Sequence, residues 1–454
     1  MPDSANVATA DSKRTLLSQA ALCAGQLPGV GDVSTCLRAY YRHVAVDDLS
    51  AAGPDRLAAV AARHAQMAAH RPQGRALVEV RPGGDAVLDP PADVIDIVTD
   101  DMPFLVDSIT MELAKHGLSA RLVVHPQLRV RRDVTGALRE IVGQASAGQL
   151  NAGQMPADET AVGQAADQAT AGQVTAGQPS HDELAESWTH IEIPPLGAGE
   201  AEALEADLLR VLGDVRGAVE DYPRMRARAV SLADDVLAPE GEGAGGADAP
   251  AEIAELLRWL ADGHFTFLGY REYDLEVGPE GMALSAVPGT GLGILRHDQI
   301  GPGSFALLPE EVKARALEPQ RLIVTKANSR STVHRPSYLD YVAVKRLSPA
   351  GEVVGEYRFL GLYTHAAFSE SIKSIPVLRR KLAEVLELSG MAADSHDGKE
   401  VAEVLDFYPR EELFMTSVSD LAAITAGVHV LRERRQTRLF LRKDVYGRYV
   451  SCLV

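Results

Sequence analysis

Cysteine is scarce in this chain: three in 454 residues, at positions 23, 36 and 452. They lack metal-ligand spacing, and Cys23 and Cys36 fall on helical patterns, so free thiols in a reducing cytoplasm are expected rather than a disulfide framework. Positive charge is also in deficit. Lys and Arg total 45 against 63 Asp and Glu, a net charge of −18, which argues against a nucleic-acid partner because such binding rests on Lys and Arg. No apolar run approaches the ~20 residues that span a bilayer, so no membrane partner is expected. The stretch from Met1 to Asp11 is polar and Ala-rich, unlike a signal peptide. Gly-x-Ser-x-Gly, His-Glu-x-x-His and Walker sequences are missing as well. Gly289-Thr-Gly-Leu-Gly293, Gly301-Pro-Gly-Ser-Phe-Ala306 and Gly29-Val-Gly31 lack the strand–turn–helix context of a dinucleotide site and read as turn glycines.

What is present is a run of well-punctuated elements from Asp93 to Arg132. Asp93 to Val98 is a β-branched strand, and Asp100-Asp-Met-Pro103 is a turn into a helix. Pro103 suits a first turn, whose N–H groups lack intrahelical partners, and Asp100 or Asp101 is placed to cap them. Leu105, Ile109 and Leu113 recur at helical spacing, and Gly117 supplies a stop. Ala120 begins a second strand running on through Leu128 and Val130. This is the opening half of a β-α-β-β-α-β unit, an architecture suited to a ligand or regulatory module.

The length implies two to four domains. Residues 1–75 read as an N-terminal helical segment, with helices over Lys13–Gly25, Val33–Val44 and Pro54–His70. Residues 76–237 form a first sheet-and-helix domain, opened by an edge strand at Leu77–Val80. It is interrupted at about 143–181 by a Gly-Gln-rich insertion too poor in core residues to offset its ordering entropy, so disorder is expected there. Trp188–Ile193 resumes the sheet, followed by a helix through Leu204 and Val215 and a separate helix from Arg224 to Leu237. Residues 238–251 are an acidic, Gly-rich linker. Residues 252–392 look like a looser version of the first domain, with connecting helices over 393–434. Residues 435–454 read as the start of a truncated third domain. The fold class expected is α+β.

Two clusters are candidate ligand sites. Asp100, Asp101, Asp107 and Ser108 surround a helix start, where backbone N–H groups receive a carboxylate; capping is the rival reading. Lys326, Arg330 and Arg335, with Lys345, Arg346 and Arg358 nearby, form a basic group mixed with hydroxyls, as anion sites do. Its rival is a surface that pairs with an acidic neighbouring domain. His264, His334 and His365 stand alone, so no metal is expected.

Several segments carry a resemblance: Asp100-Asp-Met-Pro-Phe-Leu-Val-Asp-Ser108, His125-Pro-Gln127, Trp259 through Tyr273, Leu292-Gly-Ile-Leu-Arg296, Lys326 with Ser331-Thr-Val-His-Arg335, Arg358-Phe-Leu-Gly-Leu-Tyr363 and Asp406-Phe-Tyr-Pro-Arg-Glu-Glu-Leu413. Through them the chain resembles the N-terminal region of the large bacterial NAD-specific glutamate dehydrogenases. The resemblance implies tandem ACT-type, ferredoxin-like domains, with the dehydrogenase fold and its catalytic lysine far downstream. It implies a parent oxidoreductase that deaminates L-glutamate to 2-oxoglutarate and ammonia with NAD. No catalytic or cofactor-binding residue is expected in this chain. The implied partners are the rest of the polypeptide, further copies in a homo-oligomer and an amino-acid effector. The alternative is a purely structural oligomerisation module.

Overall fold

Four helices open the chain: α1 (Ser4–Ala24), α2 (Val33–Tyr40), α3 (Val46–Ala52) and α4 (Pro54–Met67). The computed structural model describes residues 4–25, 30–83, 92–145, 183–238, 250–278, 281–296, 306–307, 313, 317–318, 320–434, 437–443 and 450–453. Most of the Gly-Gln insertion, most of the 238–251 linker and the glycine motif at 301 to 305 therefore lie outside the described residues. Pro54 opens α4 as its composition implies. Helix α3 was not foreseen, because Val46 to Ala52 carries too few apolar residues to show a period.

The chain divides into two units. The sheet of the first has the order β1 (Leu77–Arg81), β2 (Asp93–Asp100), β6 (Glu183–Ile193), β4 (Gln127–Arg132), β5 (Leu138–Gln144), with β3 (Leu122–Val124) also on β6. All of these pairs are antiparallel. Leu77–Arg81 is the edge strand expected. The strand expected from Ala120 to Val130 is instead two, broken at His125-Pro126, because proline cannot donate to a ladder. Helix α5 (Leu105–Lys115) follows β2. After β6 comes α6 (Glu200–Leu237), a single helix of 38 residues where two were expected. Pro223 lies inside it, and the apolar file Val215, Ala218, Tyr222, Met225, Ala229 and Leu232 continues past it, all buried. Burial of that stripe outweighs the one hydrogen bond a proline removes.

Both faces of the first sheet are buried. The face carrying Val98, Leu128, Val130, Ile141 and Trp188 packs against Leu17, Leu37, Tyr41, Leu57 and Val60 of the N-terminal helices. This same face also holds charge. Fully buried Glu186 accepts hydrogen bonds from Arg71 Nε (3.0 Å), Arg132 Nε (2.6 Å) and Trp188 Nε1 (2.9 Å). Four residues along β2 from Asp100, the register partner of Glu186, Asp96 accepts from His190 Nδ1 at 2.7 Å and from Arg81 at 2.5 Å. His64 of α4 lies 3.9 Å from Asp96 and shares a 2.7 Å hydrogen bond with the Tyr40 hydroxyl.

The second unit begins at Gly217 within α6. Its sheet has the order β10 (Ala306–Leu307), β8 (Gly281–Ala286), β7 (Phe265–Gly278), β13 (Val353–Tyr363), β12 (Tyr338–Leu347), β11 (Leu322–Arg330), with β9 (Leu292–Gly293) on β7. Phe265, Phe267, Phe359 and Tyr363 form its aromatic core, with edge-on ring pairs at 5.1 to 5.6 Å. The aromatic strand is thus a core strand. Sequence-adjacent β11, β12 and β13 pair as a meander, so among the described residues this sheet does not repeat the strand order of the first. Helix α7 (Pro250–Trp259) precedes it; α8 (His365–Ser369), α9 (Leu378–Leu388), α10 (His396–Phe407), α11 (Arg410–Met415) and α12 (Val418–Arg434) follow. Lys381 of α9 donates to the carbonyls of Leu413, Phe414 and Thr416 at 2.7 to 2.9 Å, satisfying the end of α11. The chain closes on the antiparallel hairpin β14 (Phe440–Lys443) and β15 (Val450–Leu453).

Gly289 and Gly293 both stand at positive φ, Gly289 in a turn and Gly293 at the end of β9. At Gly293 the N–H donates to Asp221 at 2.9 Å, and a Cβ would run into the Leu268 carbonyl oxygen. Gly293→Ala is expected to cost about 1–3 kcal/mol through overpacking, read as a lower urea midpoint with an unchanged slope.

Candidate functional sites

The turn after β2 departs from its expected chemistry. Helix α5 starts at Leu105, its N-cap is Phe104 at φ 69°, and no side chain caps it. Pro103 lies in the turn ahead of the helix rather than in its first turn. Asp100 does not cap because its oxygens are taken: they pair with Arg71 at 2.6 Å and Arg216 at 2.7 Å. Burial opposes ionisation there, but the two guanidinium groups hold the carboxyl below its ordinary range. Asp101 accepts from Gln127 at 3.3 Å, and burial raises its carboxyl. Both aspartates therefore act as strand-end anchors.

Asp107 and Ser108 meet a segment the sequence did not connect to them. Thr332–Pro336 belongs to the first unit. His334 donates its backbone N–H to Ser108 Oγ at 3.0 Å, and its ring lies 4.6 Å from that of Phe104. Thr332 donates to Asp214 at 2.8 Å. Asp107 remains 64% exposed, 3.9 Å from His334 Nδ1. Phe104 and His334 are both left-handed, at φ 69° and 75°. Non-glycine residues hold that conformation only where surrounding contacts impose it. The start of α5 is thus covered by another part of the same chain. His334 was foreseen only as an isolated histidine, and no local signal marks its role.

The basic group divides. Arg335 lies in the Thr332–Pro336 loop of the first unit, whereas the other five cations belong to the second. Lys326 bridges Asp340 at 2.8 Å and Glu411 at 2.7 Å within the second unit. Arg330 is exposed, with its guanidinium carbon 5.2 Å from the Tyr338 ring centroid. Arg358 stacks 3.7 Å over Tyr273 and pairs with Glu356 at 2.6 Å. Arg346 pairs with Asp274 at 2.8 Å, and Lys345 donates to the Glu318 carbonyl at 2.9 Å. Strand alternation turns adjacent cations to opposite faces, so the run is not one patch.

Asp340 is buried at the centre of the Lys326 bridge and accepts from the Tyr363 N–H at 3.3 Å. Burial pushes its carboxyl up to about 7; Lys326 opposes this and Glu411 adds to it. The folded state therefore holds a proton that the unfolded chain releases near its ordinary value of 3.8. Stability from this group falls as pH rises from about 4 to 7 and is level above. Asp340→Asn is expected to flatten that part of the unfolding profile, and an unchanged slope in urea titrations across the window would refute the assignment.

Two Asp/Glu/His triads, Glu112–His116–Asp207 and Asp397–Glu400–His429, each bring ligand-type atoms within 4.8 Å of one another. Glu112 already pairs with Lys115 at 2.9 Å and Arg210 at 3.4 Å, and His429 hydrogen-bonds Glu400 at 2.9 Å. Both read as polar clusters joining helices.

Comparison with known proteins defines the class first. Residues 36–208 match the family model "Glutamate dehydrogenase, ACT1 domain" and residues 375–434 match "Glutamate dehydrogenase, helical motif 1". These take in the first unit's sheet and the helices α9 to α12. The chain is 36% identical over 365 residues to the NAD-specific glutamate dehydrogenase of Pseudomonas aeruginosa and 33% identical over 365 residues to that of Halomonas elongata, covering 79% of this chain and 20% of each relative. The enzyme of that name from Mycobacterium tuberculosis is 29% identical over 397 residues, covering 86% of this chain and 21% of that protein. The chain belongs to the N-terminal region of the NAD-specific glutamate dehydrogenase family and spans about a fifth of the length of these relatives. No helix among the described residues is long and apolar enough to cross a membrane.

Proposed function

We propose that this chain is the N-terminal regulatory and assembly portion of an NAD-specific glutamate dehydrogenase. The full polypeptide would convert L-glutamate, NAD and water to 2-oxoglutarate, ammonia and reduced cofactor in the cytoplasm, as a homo-oligomer. NAD and the catalytic lysine belong, on this reading, to the remaining domains. The observation that carries it is the ACT1 match over 36–208, since ACT domains commonly bind amino-acid effectors. The first sheet supports a ferredoxin-like reading: β2, β6 and β4 stand in the order of its first, third and second strands, and β1 fills the fourth place. The second sheet shares its layering of strands under helices, and we read it as a divergent module over 252–392. The other limits we propose are a helical segment to 75, a first ACT-like domain over 76–237, a linker to 251, connecting helices over 393–434 and the start of a third module at 435–454.

Of the candidate ligand groups, the exposed carboxylate of Asp107 is retained as an anchor for an ammonium group; Ser108 and Arg335 border it through the His334 loop. A ligand regulates only by preferring one arrangement of the protein. Calorimetry and thermal unfolding of this chain against a panel of L-amino acids test the sensing role. At a hundredfold excess over Kd, a binder stabilises by about 2.7 kcal/mol. Silence across the panel would leave the purely structural role. Turnover of glutamate and NAD by this chain alone would overturn the assignment of catalysis to the remaining domains.

A further inference from the structure

A cavity of about 320 Å³ lies between the β14–β15 hairpin and helices α11 and α12. It sits in the second unit. The hairpin is seated on α12 through Phe440, whose ring occupies the space a Cβ at Gly427 would need. Arg442 pairs with Glu412, and Ser451 Oγ donates to the same carboxylate at 2.6 Å. These charges are committed to each other.

The remaining two charges of the lining are not. Asp420, in the first turn of α12, and Arg438, just before β14, face the same cavity, and neither makes an ion pair among the described residues. The Arg438 guanidinium lies 5.2 Å from the Phe440 ring centroid, which holds it beside the cavity without neutralising it. Ile424 of α12 adds an apolar side chain to the same lining. The volume is at the low end for ligand sites, about 300–1,000 Å³, and suits a molecule of amino-acid size. A guanidinium matches a carboxylate in two parallel hydrogen bonds, and a carboxylate matches an ammonium.

We propose that this cavity binds a small zwitterion of the α-amino-acid type, with its carboxylate on Arg438, its ammonium on Asp420 and an aliphatic side chain against Ile424. The proposal rests on the sensing reading above for its purpose and adds a second place for it. A bound ligand joins α12 to a two-stranded hairpin, an element marginal by itself, and fixes one on the other.

Cys452 lines the cavity and is exposed, Cys23 is exposed elsewhere, and Cys36 is buried. Iodoacetamide labelling of the full 454-residue chain, read by peptide mass spectrometry, therefore carries its own references. L-alanine, L-valine, L-leucine and L-methionine are each offered beside their N-acetyl and amide derivatives. The expected result is that at least one amino acid slows labelling of Cys452 and not of Cys23, while its two derivatives do not. Arg438→Met and Asp420→Asn are each expected to weaken that protection about tenfold or more. An unchanged urea midpoint followed by Trp259 fluorescence in a Trp188→Phe background reports that the second unit of the variants is folded. Protection of Cys452 by none of the four, or protection that survives both substitutions, overturns the proposal. Heat of binding without protection of Cys452 overturns this site and leaves amino-acid sensing standing; no heat and no protection count against both.

Discussion

Glu186→Gln is expected to destabilise the first unit by about 3–5 kcal/mol, a large share of the roughly 5–15 kcal/mol that holds a domain folded. Glu186 is fully buried and is the shared counter-charge of Arg71 and Arg132, whose side chains are 0% and 2% exposed. Burial opposes its ionisation, but Arg132, Arg71 and the Trp188 hydrogen bond outweigh it and lower its pKa. Glutamine keeps the shape and removes the charge, leaving two guanidinium groups in a closed space. Those groups also anchor the chain: Arg132 donates to the Ala68 carbonyl at 2.8 Å and Arg71 to that of Arg75 at 2.9 Å. The measurement is urea unfolding followed by Trp188 fluorescence in a Trp259→Phe background, these being the chain's two tryptophans. A loss under about 1 kcal/mol would show that the network is solvated and the burial argument wrong.

Asp96→Leu is the second large expected effect, again about 3–5 kcal/mol, because it strips Arg81 and His190 of their shared partner. It also has a pH signature. Burial alone would depress His190, but its hydrogen bonds to Asp96 and Glu192 and their charges raise it to about 9. The folded state thus binds a proton that an unfolded histidine releases near 6.5. Stability from His190 is full below about 6.5 and is lost as pH climbs through about 9. His64 runs the other way: burial lowers it to about 4 against the pull of Asp96, so the unfolded chain gains a proton below 6.5 and stability falls toward 4. Asp96 itself is held well below the carboxylate range by His64, His190 and Arg81 despite its burial. His64 and His190 together favour a stability maximum near pH 6.5 in the first unit, whereas Asp340 in the second unit favours lower pH. Asp96→Leu should remove most of the alkaline slope, and a slope that survived would assign it to another group.

Much of the fold was legible because local signals repeat. Pro54 and the apolar period after it mark α4, and β12 and β13 run over Tyr338–Leu347 and Val353–Tyr363 as their β-branched and aromatic patterns imply. The Gly289 stretch was readable as a turn because its third glycine falls one position early for a dinucleotide site. The candidate sites were harder. Asp100 looked like a cap because it precedes a helix, but its partners Arg71 and Arg216 are far away in sequence. Lys326 looked like part of a basic patch because its neighbours are basic, yet its partners come from β12 and α11. Proximity along the chain says little about which charges meet across it.

By itself the sequence determined the alternation of strands and helices, the punctuation between them and, through its motifs, the family. Only the tertiary structure decided the fate of the polar residues on those strands. Glu186, His190 and Glu192 share one row of β6 with Trp188, and the N-terminal helices lie over that face and bury it. A residue's period depends on its backbone alone, whereas its surroundings depend on what packs above it, and that partner is set by surface burial summed over distant segments.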